Sequence, residues 1–416
     1  MKGYFDKIGS ASYKASQKNI RTEIKNKVLY NYVKLLNKNK FKILKENKKD
    51  IKFAIKKKLH KSLISRLEIN ETKFLSIIKT IQDIINFKDP VGSIIEKWKR
   101  PNRLNIKKIT IPIGVIGVIY ESRPNVTVDL SCLCFKSGNS VILKGGSEAF
   151  QTNKILVKLF RKSLKAANVD QNFVQFINKK NRKVVDYLLT KMDSYLDVII
   201  PRGGKSLVKK VKKICNIPMI GHLEGVCHTY LDKKFNLDIA NKIILNAKLR
   251  NVSICGATET LLVHKDCPKK KIIYILENLI AENCKIFADN KINKFFKGKI
   301  FKATEKNWGR EYLDSIISVK IVNNVKDAVA HINKYGTMHT DAIITTDILN
   351  ADYFLKSVKS SIAIHNSSTQ FADGGEFGFG GEVGISTNKL PPRGPVGLAQ
   401  LVTYKYEVYG SGQVRD

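Results

Sequence analysis

The sequence predicts an α/β protein with two blocks, each built around a parallel sheet. Short apolar runs alternate with amphipathic segments of helical period, first over 114–204 and again from about 250. Glycines close the apolar runs "SVILKGG" and "DVIIPRGG", as expected where the strands of βαβ units end. A chain of 416 residues, 43% of them hydrophobic, can bury the cores of two or three such domains.

The chain begins with a region that is predicted to be all helical. Over 13–88 apolar residues recur at three- and four-residue spacing without a proline. The stretch "KKITIPIGVIGVIYES" then has the continuous apolar character of a buried strand. The first block continues with predicted helices over 126–138, 149–167 and 181–192 and strands over 140–146, 172–177 and 197–204.

The second block and the tail follow the same reasoning. Its predicted strands cover 259–264, 319–324, 341–346 and 360–366, and its predicted helices cover 268–284 and 325–336. A glycine-rich stretch, "GGEFGFGGEVGIS", comes next. The final "LVTYKYEVYG" alternates in polarity, which is typical of an exposed or intersubunit strand.

The formal charge of +38 raises the possibility of a nucleic-acid-binding protein. Lysine is spread over nearly every segment, however, and neither zinc-finger spacing nor an aromatic RNA-binding signature accompanies it. We therefore expect a solvated basic surface that favours anionic substrates, and no specific nucleic-acid partner. With neither a signal peptide nor an apolar run long enough to span a membrane, the sequence predicts a soluble, cytoplasmic protein.

The seven cysteines are predicted to be reduced, because their number is odd and their spacing irregular. Cys132 and Cys134, in "LSCLCF", are predicted to pack in the core, and we expect no metal site. Cys255 differs, because Gly256 and Ala257 leave its thiol approachable. It is either a nucleophile or a small core residue.

Three other places in the first block have side chains or backbone suited to binding. Asn125, after Pro124, is a candidate oxyanion donor, or alternatively a helix N-cap. Two glycine-containing turns are candidate phosphate cradles, or alternatively ordinary βα turns. The residues of these turns are Lys144, Gly145, Gly146 and Ser147 in the first and Gly203 and Gly204 in the second.

Several long segments together resemble a known family. The segments "PIGVIGVIYESRPNVTVDLSCLCFKSGNSVILKGGSEA", "GHLEGVCHTYLD", "ICGATETLLVH" and "FADGGEFGFGGEVGISTNKLPPRGPVGL" closely resemble gamma-glutamyl phosphate reductases of the aldehyde dehydrogenase superfamily. The resemblance implies an aldehyde dehydrogenase-like fold with three parts. These are a Rossmann-type NADPH-binding domain (1–95 and 114–245), a second α/β catalytic domain (246–390), and a small β oligomerisation arm and tail (96–113 and 391–416).

The resemblance also implies a reaction. The family reduces L-glutamate 5-phosphate with NADPH to glutamate 5-semialdehyde and phosphate, in the second step of proline synthesis from glutamate. By this resemblance Cys255 attacks the acyl phosphate, and Asn125 with the Cys255 backbone N–H holds the oxyanion. Arg123 and His339 become candidate substrate ligands. We expect a homo-oligomer and a possible association with glutamate 5-kinase.

Cofactor residues follow from the same resemblance. Lys144 corresponds to the superfamily lysine at the adenosine ribose, and Glu311 to the glutamate at the nicotinamide ribose. Ser147 falls where NAD-preferring members often carry a glutamate, which favours NADPH. A one-residue slip would place Glu148 there and reverse that preference.

Two departures from the superfamily pattern bear on the chemistry. Gly256 replaces the asparagine that commonly follows the cysteine, which removes a polar side chain beside the nucleophile. The general base of oxidising aldehyde dehydrogenases falls near "GHLEG", on either His222 or Glu224. The absence of a clear E-L-G-G motif favours the reductase over the alternative, an oxidising aldehyde dehydrogenase.

Overall fold

A computed structural model provides the coordinates of the chain. The structure describes residues 1–121, 123–181 and 183–415, apart from the side chains of residues 61 and 62. The chain divides into two compact units. Unit 1 comprises 1–221, 378–384 and 396–416, and unit 2 comprises 222–377 and 385–395.

Unit 1 begins with helices, which confirms the prediction for 13–88. The second helix shows why the sequence folds in this way, since Val28, Leu29, Tyr32 and Leu36 lie on one face and are fully buried. The helices of this region are α1 Lys2–Ser16, α2 Thr22–Lys38, α3 Lys40–Lys56, α4 Lys61–Leu67 and α5 Glu71–Asn86.

A four-stranded parallel sheet forms the centre of unit 1, with strand order β5-β4-β3-β6. Its strands are β3 Val115–Tyr120, β4 Ser140–Gly145, β5 Val174–Phe176 and β6 Val198–Arg202. The helices that alternate with them are α6 Pro124–Lys136, α7 Phe150–Ala166, α8 Lys183–Thr190 and α9 Lys205–Ile214. Every residue of β3 and β4 is buried, as expected for strands covered on both faces. Cys132 and Cys134 of α6 are also buried, so their predicted core role is confirmed.

An antiparallel sheet of three strands also belongs to unit 1. Its strands are β1 Ile94–Lys99, β2 Asn105–Pro112 and β16 Val402–Tyr409, with β2 in the middle. Most residues of β1 and β16 are exposed. The predicted tail strand is therefore confirmed as an exposed strand.

Unit 2 is built on a seven-stranded parallel sheet of order β10-β9-β11-β8-β7-β12-β13. Its strands are β7 Cys227–Leu231, β8 Thr258–His264, β9 Lys285–Ala288, β10 Phe301–Lys302, β11 Ile316–Val322, β12 Thr340–Ile344 and β13 Ile362–His365. Its helices are α10 Leu237–Leu249, α11 Lys269–Ala281, α12 Asn290–Asn293, α13 Glu305–Trp308, α14 Val325–Tyr335 and α15 Ile348–Ser357. Two further short strands are β14 Gly384–Ser386 and β15 Gly394–Val396.

The boundary between the units differs from the predicted one between 245 and 246. The strand β7 and the helix α10 were expected in the cofactor domain, but they belong to unit 2, which begins at His222. The reason is strand pairing, because β7 forms ladders with β8 on one side and β12 on the other. In the part of the chain that the structure describes, no helix combines the length and apolar character needed to cross a membrane.

Candidate active site

Cys255 lies in a turn that leads into β8 of unit 2. The turn closes with a hydrogen bond from the backbone N–H of Ala257 to the carbonyl of Ile254, at 3.1 Å. The Cys255 side chain is half-buried and packs against a small apolar group, whose buried members are Ile362, Ala372 and Ile385. The Cys255 side chain is therefore less enclosed than those of the five buried cysteines, which favours the nucleophile over the small core residue.

Two histidines lie with Cys255. One ring nitrogen of His222, one of His339 and the Cys255 sulfur all lie within 4.8 Å of one another. The two imidazole rings meet edge to face, with centroids 4.8 Å apart. Of the two residues that the sequence left open in "GHLEG", His222 therefore belongs to the thiol cluster, and Glu224 is not part of it.

Strand pairing explains how these three residues meet. His222 precedes β7, Cys255 precedes β8 and His339 precedes β12. These strands are neighbours in the sheet, in the order β8-β7-β12, and all run in the same direction. The segments that enter them therefore converge at the amino edge of the sheet.

The Nδ1 atoms of both histidines have partners in unit 2. The Nδ1–H of His222 donates to the carbonyl of Ile385, at 2.8 Å. Nδ1 of His339 lies 2.9 Å from Oγ1 of Thr340 and 3.6 Å from Sγ of Cys227. His339 is fully buried, and its Nε2 atom has no hydrogen-bond partner among the residues that the structure describes.

The backbone behind Cys255 is packed closely. A Cβ atom at Gly225 would lie 2.0 Å from the carbonyl oxygen of Cys255, so only glycine fits there. Glu311, expected at a cofactor ribose, accepts a hydrogen bond from the Gly225 N–H at 2.8 Å. Gly256 is also confined, since a Cβ there would lie 3.1 Å from the carbonyl oxygen of Thr369.

Ionisable groups are buried on β7, on β8 and on the helix α10 between them. Lys248 and Glu259 form an ion pair of 2.6 Å, and both side chains are fully buried. Burial raises the pKa of Glu259 to about 7, although the charge of Lys248 opposes this shift. Burial also raises the pKa of the Cys227 thiol well above its usual value. Cys227 is therefore held as a neutral thiol beside His339.

The predicted oxyanion residue, Asn125, lies in unit 1. It is exposed in the first turn of α6, and its amide nitrogen donates to Oδ2 of Asp129 at 3.2 Å. The N-cap position belongs to Arg123, which is also exposed, so the alternative role of Asn125 as the cap is wrong. Desolvation raises the pKa of Asp129 to about 7, against the opposing effects of Asn125 and Arg202.

The first glycine-containing turn follows β4 of unit 1. Lys144 is buried and its ammonium donates to the carbonyl of Gly145 at 2.7 Å. Burial lowers the pKa of Lys144, while the Glu148 carboxylate works in the opposite direction. Ser147 is exposed. The Glu148 carboxylate lies close to Gly146, because a Cβ atom on Gly146 would be only 2.1 Å from one of its oxygens.

The second turn, with Gly203 and Gly204, leads from β6 into α9. The backbone N–H of Gly204 donates to Oε2 of Glu121 at 2.9 Å. A Cβ on Gly203 would lie 2.7 Å from the same carboxylate. The N-terminus of α9 therefore holds an anionic group, which is the chemistry expected of a phosphate cradle.

The structure thus brings together two of the predicted site residues, Cys255 and His339, with His222 beside them. Asn125, Arg123 and the glycine-containing turns lie in unit 1. Sequence reasoning did not identify Asp129 and Glu121 as contacts of these residues. A signal for Asp129 was present, because it follows Asn125 by four positions on the same helix face.

Comparison with known proteins gives consistent results. The model of the aldehyde dehydrogenase family matches residues 14–280. A gamma-glutamyl phosphate reductase of Parvibaculum lavamentivorans is 46% identical over 373 residues, which cover 90% of this chain and 88% of that protein. The crystal structure of a gamma-glutamyl phosphate reductase from Thermotoga maritima superposes with a TM-score of 0.95 at 37% identity and covers 99% of both chains. An engineered glycolyl-CoA reductase with bound NADP+ shares the fold at 17% identity, with a TM-score of 0.67 and coverage of 97% and 96%.

Proposed function

Because the chain belongs to the aldehyde dehydrogenase family and is similar along nearly its whole length to gamma-glutamyl phosphate reductases, we propose that it reduces L-glutamate 5-phosphate to L-glutamate 5-semialdehyde with release of phosphate. The observation that carries this proposal is the half-buried thiol of Cys255, which lies within 4.8 Å of ring nitrogens of His222 and His339. A thiol in this setting can act as the nucleophile of an acyl-transfer reaction.

The reaction assigns one covalent role to Cys255. Its thiolate attacks the acyl carbon, and the tetrahedral oxyanion expels phosphate to leave a thioester on the sulfur. When bound, the reduced nicotinamide supplies the hydride that converts this thioester into a thiohemiacetal. Collapse of the thiohemiacetal releases the aldehyde and restores the thiolate of Cys255. Phosphate is a good leaving group, so its departure needs little help from a general acid.

The oxyanion is proposed to be held by two N–H donors, the Cys255 backbone and the Asn125 side chain. Asn125 can take this role because an amide nitrogen carries two hydrogens, and its contact with Asp129 uses only one. That contact also fixes the orientation of the amide. Arg123 and His339 are the proposed ligands of the anionic substrate.

The cofactor is proposed to be NADPH, with its phosphate groups bound in unit 1. The backbone N–H of Gly204 already holds a carboxylate, so the turn can hold a phosphate group. Lys144, Gly145, Gly146, Ser147 and Gly203 are proposed to take part in the same binding, and Glu311 to contact the nicotinamide ribose. A kcat/KM at least tenfold higher with NADPH than with NADH would support this choice.

Assembly and location are also proposals. The sheet of β1, β2 and β16 exposes large apolar side chains, which suits contact with a second copy of the chain; they include Ile94, Ile95, Tyr404, Tyr406 and Val408. We propose a cytoplasmic homo-oligomer that associates with a glutamate 5-kinase, since an acyl phosphate is labile in water. Light scattering of the purified protein tests the first part, and co-purification with the kinase tests the second.

The decisive assay runs the reaction in reverse. Semialdehyde, phosphate and NADP+ should produce NADPH absorbance, and Cys255→Ala should lower the rate by about three orders of magnitude or more. Cys215→Ala, which removes another half-buried thiol, should leave the rate unchanged. Turnover without phosphate would indicate an oxidising aldehyde dehydrogenase instead. Turnover that survives Cys255→Ala would exclude the thioester.

A further inference from the structure

We propose that His222, Cys255 and His339 form a three-ligand site for a soft divalent cation of the zinc class, and that the bound cation reversibly blocks the thiol. The ligand set is one that zinc prefers, two imidazoles and one thiolate. The site follows from the placement of three side chains and does not depend on the proposed reaction. Its blocking effect does rest on the proposed role of Cys255.

The three donor atoms are almost as close to one another as they would be around a bound zinc ion. Usual bond lengths place the donor atoms of tetrahedral zinc about 3.3–3.6 Å apart. In this structure the three donor atoms lie within 4.8 Å of one another. A bound ion would draw the three donor atoms closer together, and both His222 and Cys255 lie in irregular segments outside the helices and strands.

The hydrogen bonds made by the Nδ1 atoms of the two histidines also suit metal binding. A metal-binding imidazole usually donates its other ring N–H to an oxygen of the protein. The Nδ1–H of His222 donates to the Ile385 carbonyl, which leaves the lone pair on Nε2. Nδ1 of His339 has an equivalent oxygen partner in Oγ1 of Thr340.

A separate observation points to a ligand at this place. His339 is fully buried, yet within the described parts of the chain its Nε2 has no hydrogen-bond partner. A buried polar atom is costly when it is not satisfied, and a metal ion is one of the groups that satisfies it. Binding would displace the proton of the Cys255 thiol to solvent and form the sulfur–metal bond. The fourth coordination position would hold water or an anion.

Protection from alkylation tests the site without any substrate. The metal-free full-length protein is treated with iodoacetamide at increasing Zn²⁺, and the labelling of each cysteine peptide is followed by mass spectrometry. We expect equimolar to low-micromolar Zn²⁺ to slow labelling of Cys255 by about tenfold or more. Excess EDTA should restore it. Labelling of Cys215, the other half-buried thiol, should change by less than about twofold and serves as the internal control.

Variants assign the ligands. His222→Asn and His339→Asn should each raise the Zn²⁺ concentration for half-protection by about ten- to one-hundredfold. His365→Asn is the matched control, because this half-buried histidine of unit 2 lies outside the cluster. Equal protection in all four proteins would overturn the site, and so would protection that Mg²⁺ gives equally well.

A spectroscopic readout covers the case in which a variant folds poorly. Co²⁺ added to the wild-type protein should give a thiolate-to-cobalt charge-transfer band at one ion per chain, and Cys255→Ser should abolish this band. A wild-type protein without the band, or a Cys255→Ser protein that keeps it, would overturn the proposal. Neither result would decide the proposed reaction, which depends on the reverse assay instead.

Discussion

The two parallel sheets differ in the edge at which their reactive and charged groups gather. In unit 1 Lys144 lies at the end of β4 and Glu121 follows β3, so both are at the carboxyl edge. In unit 2 His222, Cys255 and His339 precede β7, β8 and β12, at the amino edge. The rule that places ligands at carboxyl ends therefore describes unit 1 only.

The difference follows from what each edge offers. At the carboxyl edge of unit 1 a helix N-terminus presents backbone N–H groups, and the Gly204 N–H holds a carboxylate there. At the amino edge of unit 2 the segments entering adjacent strands bring side chains together. An anion suits the first arrangement and covalent chemistry the second. Substitutions at the two edges should therefore differ in their effects.

The largest expected effect concerns the buried ion pair of unit 2. The Lys248 side chain is 0% exposed, and Glu259→Ala removes the carboxylate that pairs with its ammonium. We expect the free energy of unfolding to fall by about 3–5 kcal/mol. Denaturant titration measures this change.

Two further variants control that experiment. Asp352→Ala breaks the exposed pair with Lys356 on α15 and should cost less than about 1 kcal/mol. The double variant Lys248→Met/Glu259→Leu should recover most of the lost stability, since apolar side chains replace both charges. A Glu259→Ala protein as stable as the wild type would show that the pair does not support this edge.

The next largest effect is expected at Gly225 of unit 2, for which Gly146 of unit 1 provides the comparison. Gly225→Ala places a Cβ 2.0 Å from the backbone carbonyl of Cys255, so the turn that carries the thiol must move. We expect a loss of about 1–3 kcal/mol in stability and a reverse-assay rate about one-hundredfold lower. Thermal unfolding and the reverse assay measure the two losses.

Gly146→Ala is the matched variant in unit 1. Its Cβ would also meet an atom at 2.1 Å, but that atom belongs to the flexible Glu148 side chain, which can turn away. We expect the rate constant kcat to change by less than about threefold. If Gly225→Ala and Gly146→Ala lowered the rate equally, the turn that carries Cys255 would be no more rigid than the turn after β4.

Much of the fold was predictable from the sequence. The helices of 13–88, the alternation after 114 and both parallel sheets are confirmed, because each rests on a hydrophobic period that burial imposes locally. The domain boundary was not predictable in the same way. Strand β7 looks like any apolar strand, and its membership of unit 2 depends on pairing with β8 and β12.

The candidate site was predictable only in part. Cys255 stands out because small residues follow it, and the resemblance to a family identified His339. The sequence left His222 and Glu224 as alternatives, and the choice of His222 could not be deduced, because three distant segments meet only once the order β8-β7-β12 is known. The contact of Glu121 with Gly204 is of the same kind, since the pairing of Tyr120 with Arg202 brings the two loops together.

A smaller effect concerns the pH dependence of unit 1. The pKa of Asp129 is about 7 in the folded protein, well above the value of about 3.9 expected when unfolded. The folded state therefore favours the protonated carboxyl. The stabilisation that this provides is fully present below about pH 3.9 and is lost as the pH rises through about 7.

Asp129→Asn, neutral at every pH, isolates this contribution. At pH 8 we expect the variant to be more stable than the wild type by about 1–2 kcal/mol, with allowance for solvent at this half-buried side chain. Near pH 4 the two should be equally stable. Denaturant titrations at both values measure the difference, and a difference that does not vary with pH would contradict the shifted pKa.

The smallest expected effect concerns Glu121 at the N-terminus of α9. Its carboxylate accepts a hydrogen bond from the Gly204 N–H at 2.9 Å, so it occupies the position proposed for a cofactor phosphate. Glu121→Gln removes the negative charge that competes there. A charge at a helix terminus contributes about 0.3–1 kcal/mol, so the KM for NADPH should fall by about two- to fivefold. The kcat should not change, because Glu121 takes no part in the chemistry of Cys255.

Glu148→Gln is the control in the other turn, where the carboxylate lies over Gly146. If only Glu148→Gln lowers the KM, the phosphate binds at the turn after β4, and α9 holds Glu121 for structural reasons. If neither variant changes the KM, the carboxyl edge of unit 1 does not bind the phosphate, and the contrast between the two sheets no longer holds.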